Sequence, residues 1–313
     1  MDRFVRAVET FFERLEAVDW RWLVLAVAVH LVKTACRTRA WRNIVAAAYP
    51  GAAVRWRDLA GAYVGGVAVN AVVPARGGDV ARLLLAKRRV EGATYPTLAS
   101  TMVVETIVDL TLSLALFAWA LERGALPGLE VLPRLQAFDL DWVIDHPGAT
   151  AAIVAGGAAA IGVAAWRARP RVVAFRVRLA QGFAVLGDRR RYLRSVVPWQ
   201  LADWALRIAA VYCFLRAFGI GFDQGFAVDL ENALLVQVTQ SISTLVPITP
   251  AGIGTEQALV AYVLAGRAEV VALVSFSVGM KLVVIAVNLV VGFTALALML
   301  RTLRWRAHLR AGE

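Results

Sequence analysis

Five segments of the chain are apolar over lengths that suit a membrane-spanning helix: residues 20–36, 97–121, 149–166, 196–219 and 270–300. A helix rises about 1.5 Å per residue, so a hydrocarbon core about 30 Å thick takes roughly 20 residues. The first and third segments are at the short end of this range, and the last requires a tilt or a bend near Gly279. The pattern predicts an all-α polytopic membrane protein with about five full spans.

Two further apolar stretches are interrupted before they reach spanning length, which predicts two re-entrant helical hairpins at about 59–87 and 226–266. Unpaired backbone groups cost several kcal/mol each in hydrocarbon, so broken helices face a cavity or packed protein. The alternative is a set of proline kinks within long helices. The structural turns contain Pro74, Gly77 and Gly78 in the first hairpin, and Pro247, Pro250, Gly252 and Gly254 in the second.

Composition and charge agree with a membrane protein and set its orientation. The chain is 59% hydrophobic and 18% charged, with a net charge of +11. The basic excess falls between apolar segments, with nine arginines in 167–194 and five in 36–57, and it therefore indicates cytoplasmic loops rather than nucleic-acid binding. Acidic connections at 122–148 and 220–231 are predicted to lie outside. Five spans then place the amino terminus outside and the carboxyl terminus inside.

Three regions follow from this topology. Residues 1–19 carry apolar side chains at helical spacing and are predicted to form an amphipathic surface helix. Residues 20–301 form the transmembrane domain, and residues 302–313 form a basic cytoplasmic tail. The first twenty residues contain no apolar run with a small-residue cleavage site, so no removable signal peptide is expected. The two cysteines are far apart in sequence, and neither a disulfide framework nor a metal site is expected.

The hairpins share a spacing that predicts an inverted repeat. Glu105 lies 31 residues after Pro74, and Lys281 lies 31 residues after Pro250 (105 − 74 and 281 − 250). Both charges fall within the next predicted span. One hairpin enters from the cytoplasm and the other from outside, as in the inverted-topology repeats of secondary transporters.

Three sequence blocks resemble the lysylphosphatidylglycerol synthase transmembrane-domain family of flippase-like proteins. The blocks are NAVVPARGGDVAR from Asn70, ETIVD from Glu105 and PITPAGIGTE from Pro247. The family patterns are approximately N-x-x-x-P-x-R-x-G-E-x-x-R, E-R-x-x-D and P-x-T-P-G-G-x-G-x-x-E, and the likeness covers roughly residues 20–300. This chain departs from them at Asp79, Thr106 and Ala251, where the family has Glu, Arg and Gly, and at Lys281, where arginine is usual.

The resemblance implies that the protein moves a lipid headgroup across the membrane. The charged residues within the apolar segments predict how the headgroup is bound. A charge at mid-bilayer costs at least about 2.5–3.5 kcal/mol, so buried charges here suggest function. The basic side chains would bind an anionic phosphate, and the acids would either neutralise the empty site or carry protons. The predicted substrate-binding residues are Asn70, Arg76, Asp79, Arg82, Glu105, Asp109, Thr249, Glu256 and Lys281. Asp203 and Arg207, four residues apart in one span, are expected to form an internal pair.

The sequence therefore predicts a flippase or scramblase for an anionic phospholipid or polyprenyl-phosphate lipid in the bacterial cytoplasmic (inner) membrane. The alternative is a membrane subunit or membrane-embedded enzyme of lipid-linked glycan or aminoacyl-lipid synthesis. The chain contains no HExxH, CxxC or G-x-S-x-G motif and no soluble catalytic region is evident, so a transporter is favoured over an enzyme. No cofactor, metal or nucleic acid is expected. The expected partner is membrane lipid. A second copy of the chain and a lipid-synthesis enzyme are alternatives for a protein partner.

Overall fold

The computed structural model describes residues 18–73, 77–126, 169–220, 225–245 and 254–310. Within these ranges the chain forms helices and no strand, which confirms the all-α class. The helices are α1 (Trp20–Ala48), α2 (Trp56–Val72), α3 (Gly77–Lys87), α4 (Tyr95–Glu122), α5 (Arg169–Gly182), α6 (Ala184–Gly187), α7 (Arg189–Ser195), α8 (Val197–Ala217), α9 (Phe226–Leu245), α10 (Thr255–Val263) and α11 (Val270–Arg310).

Local sequence explains where α1 and α4 begin and where α4 ends. The side chain of Asp19 accepts a hydrogen bond from the backbone N–H of Arg21 at 2.9 Å and so caps α1. Thr94 caps α4 in the same way, and Pro96 lies in its first turn, where no backbone N–H donor is needed. Gly124 follows α4 with a φ of +62°, a conformation that glycine adopts without steric cost.

Two of the described helices are long and apolar enough to cross a membrane: α4 and the Val270–Leu300 part of α11. They coincide with the predicted spans 97–121 and 270–300. Large apolar side chains on both helices are exposed, including Leu114 at 54% and Val290 at 68%. An extended apolar surface of this kind is typical of helices that face lipid.

The other predicted spans have different outcomes. Segments 20–36 and 196–219 form α1 and α8, but neither helix meets the same apolar criterion, because each carries several charged residues. Segment 149–166 lies outside the described residues, so the count of five spans is not confirmed. Helix α1 also continues twelve residues beyond Cys36 to Ala48, where the sequence predicted a cytoplasmic connection.

The helices that flank each predicted turn pack against each other. Helices α2 and α3 lie side by side, and so do α9 and α10. Helices therefore form where both hairpins were predicted, and their re-entrant course stays a prediction. The turn residues at 74–76 and 246–253 lie outside the described part of the chain, as do residues 1–17 of the predicted amphipathic helix.

Contacts between the helices follow a reciprocal pattern. Helix α2 packs against α11, and α3 packs against α4. In the other hairpin, α9 packs against α4, and α10 packs against α11. The first helix of each hairpin thus contacts the long helix that follows the other hairpin, while the second contacts the long helix that follows its own. Helices α1 and α8 pack extensively against each other beside this arrangement.

Helices α2 and α3 approach to backbone contact at two glycines. A Cβ atom on Gly78 would lie 1.9 Å from the carbonyl oxygen of Gly66. We expect Gly78→Ala to lower the free energy of unfolding by about 1–3 kcal/mol, because backbone atoms would have to move apart. Gly51→Ala is the matched control, since nothing lies within 4 Å of the added atom. Thermal unfolding in detergent would measure both, and equal effects would contradict the close approach.

Candidate functional site

Arg37, in the middle of α1, donates hydrogen bonds to three carboxylates from two other helices. Its Nε atom lies 3.0 Å from Oε1 of Glu105 and its Nη2 atom 2.5 Å from Oδ2 of Asp109, both on α4. Its Nη1 atom lies 3.2 Å from Oδ2 of Asp203 on α8. The side chains of Glu105 and Asp203 are only 3% and 2% exposed. Arg37 is therefore the cation that joins α1, α4 and α8.

Arg82, on α3, binds the remaining oxygen of Glu105. Its Nη2 atom lies 2.5 Å from Oε2 of Glu105. The guanidinium group lies against two aromatic rings, 3.7 Å from the centroid of Trp41 and 4.4 Å from that of Tyr63. Such contacts stabilise a cation and hold its plane in place. The Nε atom of Arg82 is buried and has no hydrogen-bond partner in the described structure.

Other polar side chains on α8 complete this charge network. Arg207 Nη2 lies 2.9 Å from Oδ2 of Asp203, which confirms the predicted internal pair, and 3.6 Å from Oδ1 of Asp109. The indole N–H of Trp204 donates to Asp109 at 2.7 Å, and Gln200 donates to the backbone oxygen of Glu105 at 2.8 Å. Three carboxylates thus meet three guanidinium groups. A buried network is stable only when its charges are compensated in this way.

A pocket of about 360 Å³ lies between the α2–α3 hairpin and helices α1 and α4. Asn70 and Thr106 are exposed on its wall, whereas Arg82 and Glu105 are buried. Its opening therefore leads to buried charges. The polar residues that line it are Arg37, Tyr63, Asn70, Asp79, Arg82, Glu105 and Thr106.

A second ion pair belongs to the other hairpin. Lys281 Nζ on α11 lies 2.6 Å from Oε2 of Glu256 on α10. Gln240 on α9 donates to Oε1 of the same carboxylate at 3.3 Å. Neither Glu256 nor Lys281 lines the pocket described above. The predicted site residues therefore occupy two separate places.

Ion pairs also join the far end of α8 to α9, and α9 to the turn before α11. Arg216 lies 2.6 Å from buried Asp229, and Arg267 lies 2.7 Å from Glu231. Arg267 also donates to Asn232 at 2.5 Å. On α8, Arg216 is thirteen residues beyond Asp203, about 20 Å along the helix. These pairs connect the helices at the end remote from the pocket.

The structure brings together part of the predicted set. Asn70, Asp79, Arg82 and Glu105 line one pocket, and Asp109 belongs to the adjoining charge network. Of the turn glycines, Gly77 and Gly78 begin α3 and Gly254 precedes α10 with a φ of +94°. The remaining members of the predicted set lie outside the described residues: Arg76 and Thr249, together with Pro74, Pro247, Pro250 and Gly252.

Sequence reasoning missed Arg37 and its neighbours. By its position in the sequence, Arg37 belongs to the basic connection 36–57, because the apolar segment ends at Cys36. A signal was nevertheless present, since Lys33, Arg37 and Trp41 recur every four residues and therefore share one face of a helix.

Comparison with known proteins identifies the family. No curated protein sequence and no solved structure matches the chain. The model of one protein family, described as the lysylphosphatidylglycerol synthase TM region, matches residues 4–292. This match confirms the resemblance carried by the three sequence blocks. The chain therefore belongs to the family of lysylphosphatidylglycerol synthase transmembrane regions, and it is an integral membrane protein with a lipid-related function.

Proposed function

We propose that this protein is a flippase or scramblase that moves the phosphate-bearing, anionic headgroup of a membrane lipid across the cytoplasmic membrane. The observation that carries the proposal is the guanidinium group of Arg82, which lines an open pocket and is held in place by Glu105 and two aromatic rings. A lipid phosphate offers the oxygen acceptors that such a group binds most strongly. The acyl or prenyl chains would stay in the bilayer during transfer.

The cost of burying the charge network supports this role. In many proteins, buried ion pairs can be replaced by well-packed apolar side chains without loss of stability. The buried set in this protein consists of Arg37, Arg82, Arg207 and their three carboxylates. Charged groups inside membrane helices are accordingly rare and are associated with transport pathways. An empty site that is electrically neutral can accept a phosphate by exchanging one internal ion pair for a contact with the lipid.

An inverted repeat of two re-entrant hairpins is part of the proposal. The reciprocal helix contacts are those expected when two equivalent units of opposite orientation pack together. A unit here is one hairpin together with the long helix that follows it. In each unit an ion pair joins the second hairpin helix to the long helix: Arg82 with Glu105 in the first, and Glu256 with Lys281 in the second. The hairpin helix carries the cation in the first unit and the anion in the second.

The proposed orientation places the pocket in the cytoplasmic half of the bilayer, with the amino terminus outside and the carboxyl terminus inside. The ion pairs of Arg216 with Asp229 and of Arg267 with Glu231 then lie at the outer end. With the pocket open near one surface and these pairs formed near the other, the arrangement resembles an inward-facing state of an alternating-access transporter. Transfer would require the outer pairs to separate.

The family description supports a second candidate function, because it names a synthase. The protein would then be a membrane subunit or membrane-embedded enzyme of aminoacyl-lipid or lipid-linked glycan synthesis. Purified protein that produced a modified lipid from aminoacyl or sugar donors would favour this candidate. Lipid movement without any donor would favour the transporter.

Arg82→Ala tests the transporter directly. In proteoliposomes that contain labelled anionic phospholipid, we expect the variant to slow translocation at least about tenfold, because a charge-assisted hydrogen bond to phosphate is worth about 1.5–3 kcal/mol. Arg88→Ala, at an exposed arginine just after the same helix, is the matched control and should keep the wild-type rate. Equal rates for the wild type and both variants would overturn the role of the pocket.

A further inference from the structure

The ion pair of the second hairpin differs from the others in the chemistry of its cation. Among the ion pairs between described residues, Glu256 is bound by a lysine, Lys281, whereas every other carboxylate is bound by arginine. A guanidinium group keeps its charge throughout the physiological pH range, but a buried ammonium group can lose its proton. In the pair of Glu256 and Lys281, therefore, neither charge is permanent.

The two buried glutamates also differ in how many helices supply their cations. Glu105 binds Arg37 on α1 through Oε1 and Arg82 on α3 through Oε2, so it stays paired when either helix moves. Glu256 on α10 has Lys281 on α11 as its cation among the described residues. Movement of α10 away from α11 would therefore leave Glu256 without a charged partner from the described part of the chain.

The contact between Glu256 and Lys281 lies far from the ends of the long helix. Lys281 is eleven residues after Val270, where α11 begins (281 − 270), about 16 Å along the helix. A lone carboxylate is costly at such a depth, and a buried acid avoids the cost by taking up a proton. The side-chain amide of Gln240, 3.3 Å from Oε1, can donate to the neutral acid as well as to the carboxylate.

The helices that pack against α10 and α11 carry other charged groups, and their acids are paired with arginine. These helices are α9, α2 and α8. Their acids are Asp229 and Glu231 on α9, Asp58 on α2 and Asp203 on α8. Their other charged or titratable groups near the helix contacts are Arg57 and Tyr63 on α2 and Arg207 and Arg216 on α8. Glu256 is thus the acid in this set whose described cation can give up its charge.

We propose that Glu256 is a proton-binding site that couples lipid transfer to a proton gradient. With α10 against α11, the carboxylate of Glu256 and the ammonium group of Lys281 form a neutral pair. When the two helices part, Glu256 takes one proton from water and becomes a neutral acid, while Lys281 keeps its charge. When the helices close again, that proton returns to water and the pair re-forms.

The direction of proton movement follows from the outer ion pairs. Asp229 and Glu231 lie on α9, the helix that packs against α10, so separation of the outer pairs moves the hairpin that carries Glu256. The proton is therefore taken up while the protein is open to the outside and is released towards the cytoplasm. The inference rests on the proposed function in assuming that α10 and α11 part during lipid transfer.

Lys281→Met tests proton binding without transport. At neutral pH, infrared difference spectra of the full-length protein in ester-free detergent should show the carbonyl band of a protonated carboxyl group. The band should be absent when Glu256→Gln is combined with Lys281→Met. Arg82→Met is the matched control and should show no such band, because Arg37 still binds Glu105. No band in Lys281→Met, or an equal band in Arg82→Met, would overturn the inference.

A second measurement uses Glu256→Gln, which changes one atom and keeps Lys281. In proteoliposomes with a clamped membrane potential, a gradient of one pH unit should shift the distribution of labelled anionic lipid between the leaflets by up to about tenfold, the limit for one proton per lipid. Glu256→Gln should remove this shift. Glu91→Gln, at an exposed acid remote from the pair in sequence, is the matched control and should keep it.

A wild-type distribution that ignores the gradient would overturn the coupling, and so would a full shift in Glu256→Gln. Absence of any lipid movement would contradict the proposed function instead. The infrared comparison would then still decide whether Glu256 binds a proton when it loses Lys281.

Discussion

Replacing Arg37 by alanine is expected to lower the free energy of unfolding by about 3–5 kcal/mol, the usual cost of removing one partner from a buried ion pair. The reason is that Arg37 is shared by three carboxylates. Glu105 would keep Arg82, and Asp203 would keep Arg207, but two arginines would then face three acids. The excess negative charge would lie among side chains with little access to water.

Tryptophan fluorescence during thermal or denaturant unfolding in detergent would measure this loss. Arg57→Ala is the matched control, because Arg57 is exposed on α2 and makes no ion pair in the described structure. Arg37→Lys should have an intermediate effect, since an ammonium group keeps the charge but does not offer the planar fork that contacts three helices. A loss in Arg37→Ala no larger than in Arg57→Ala would contradict the central position of this arginine.

The second large effect is expected at the other hairpin, where Lys281→Met removes the cation bonded to Glu256. Both side chains are mostly buried, 18% exposed for Lys281 and 9% for Glu256. We expect a loss of about 3 kcal/mol in unfolding free energy, the lower limit for a broken buried pair, because Glu256 would keep a hydrogen bond from Gln240 but no cation from the described part of the chain. Methionine preserves the length and apolar stem of lysine, so a cavity contributes little.

Combining Glu256→Gln with Lys281→Met should recover most of that stability. The double variant carries neither charge, and the amide introduced by Glu256→Gln can still form hydrogen bonds. A double-mutant cycle then measures the coupling energy between the two side chains. Additive losses, with no recovery in the double variant, would indicate that the 2.6 Å contact contributes little to stability.

The apolar pattern by itself determined much of the architecture. The all-α class, the two strongly apolar spans and the pairs of helices around 59–87 and 226–266 follow from local information: the length of each apolar run and the prolines and glycines that interrupt it. The sequence also indicated a functional role for four charged residues, Arg82, Glu105, Glu256 and Lys281. Charged residues within apolar segments carry a cost in any membrane fold, whatever their partners are.

The limit of the sequence is clearest at α1. Apolar content ends at Cys36, yet the helix continues to Ala48, because Trp41, Ile44 and Val45 are fully buried against other parts of the protein. Hydropathy reports how well a residue suits lipid, and it does not distinguish a loop in water from a helix packed on protein. For this reason Arg37 was assigned to a connection and its role was missed.

Only the tertiary structure decided which charges meet. Arg37 is separated by 68 residues from Glu105 and by 166 from Asp203, whereas the Asp203 and Arg207 pair, four residues apart, was predictable from helix geometry. The structure also separated Lys281 from the pocket that contains Arg82, although the sequence placed both in one set of site residues. Local pattern determines where a charge lies along its helix, and helix packing determines which helices face one another, so the partner of a distant charge is a property of the fold.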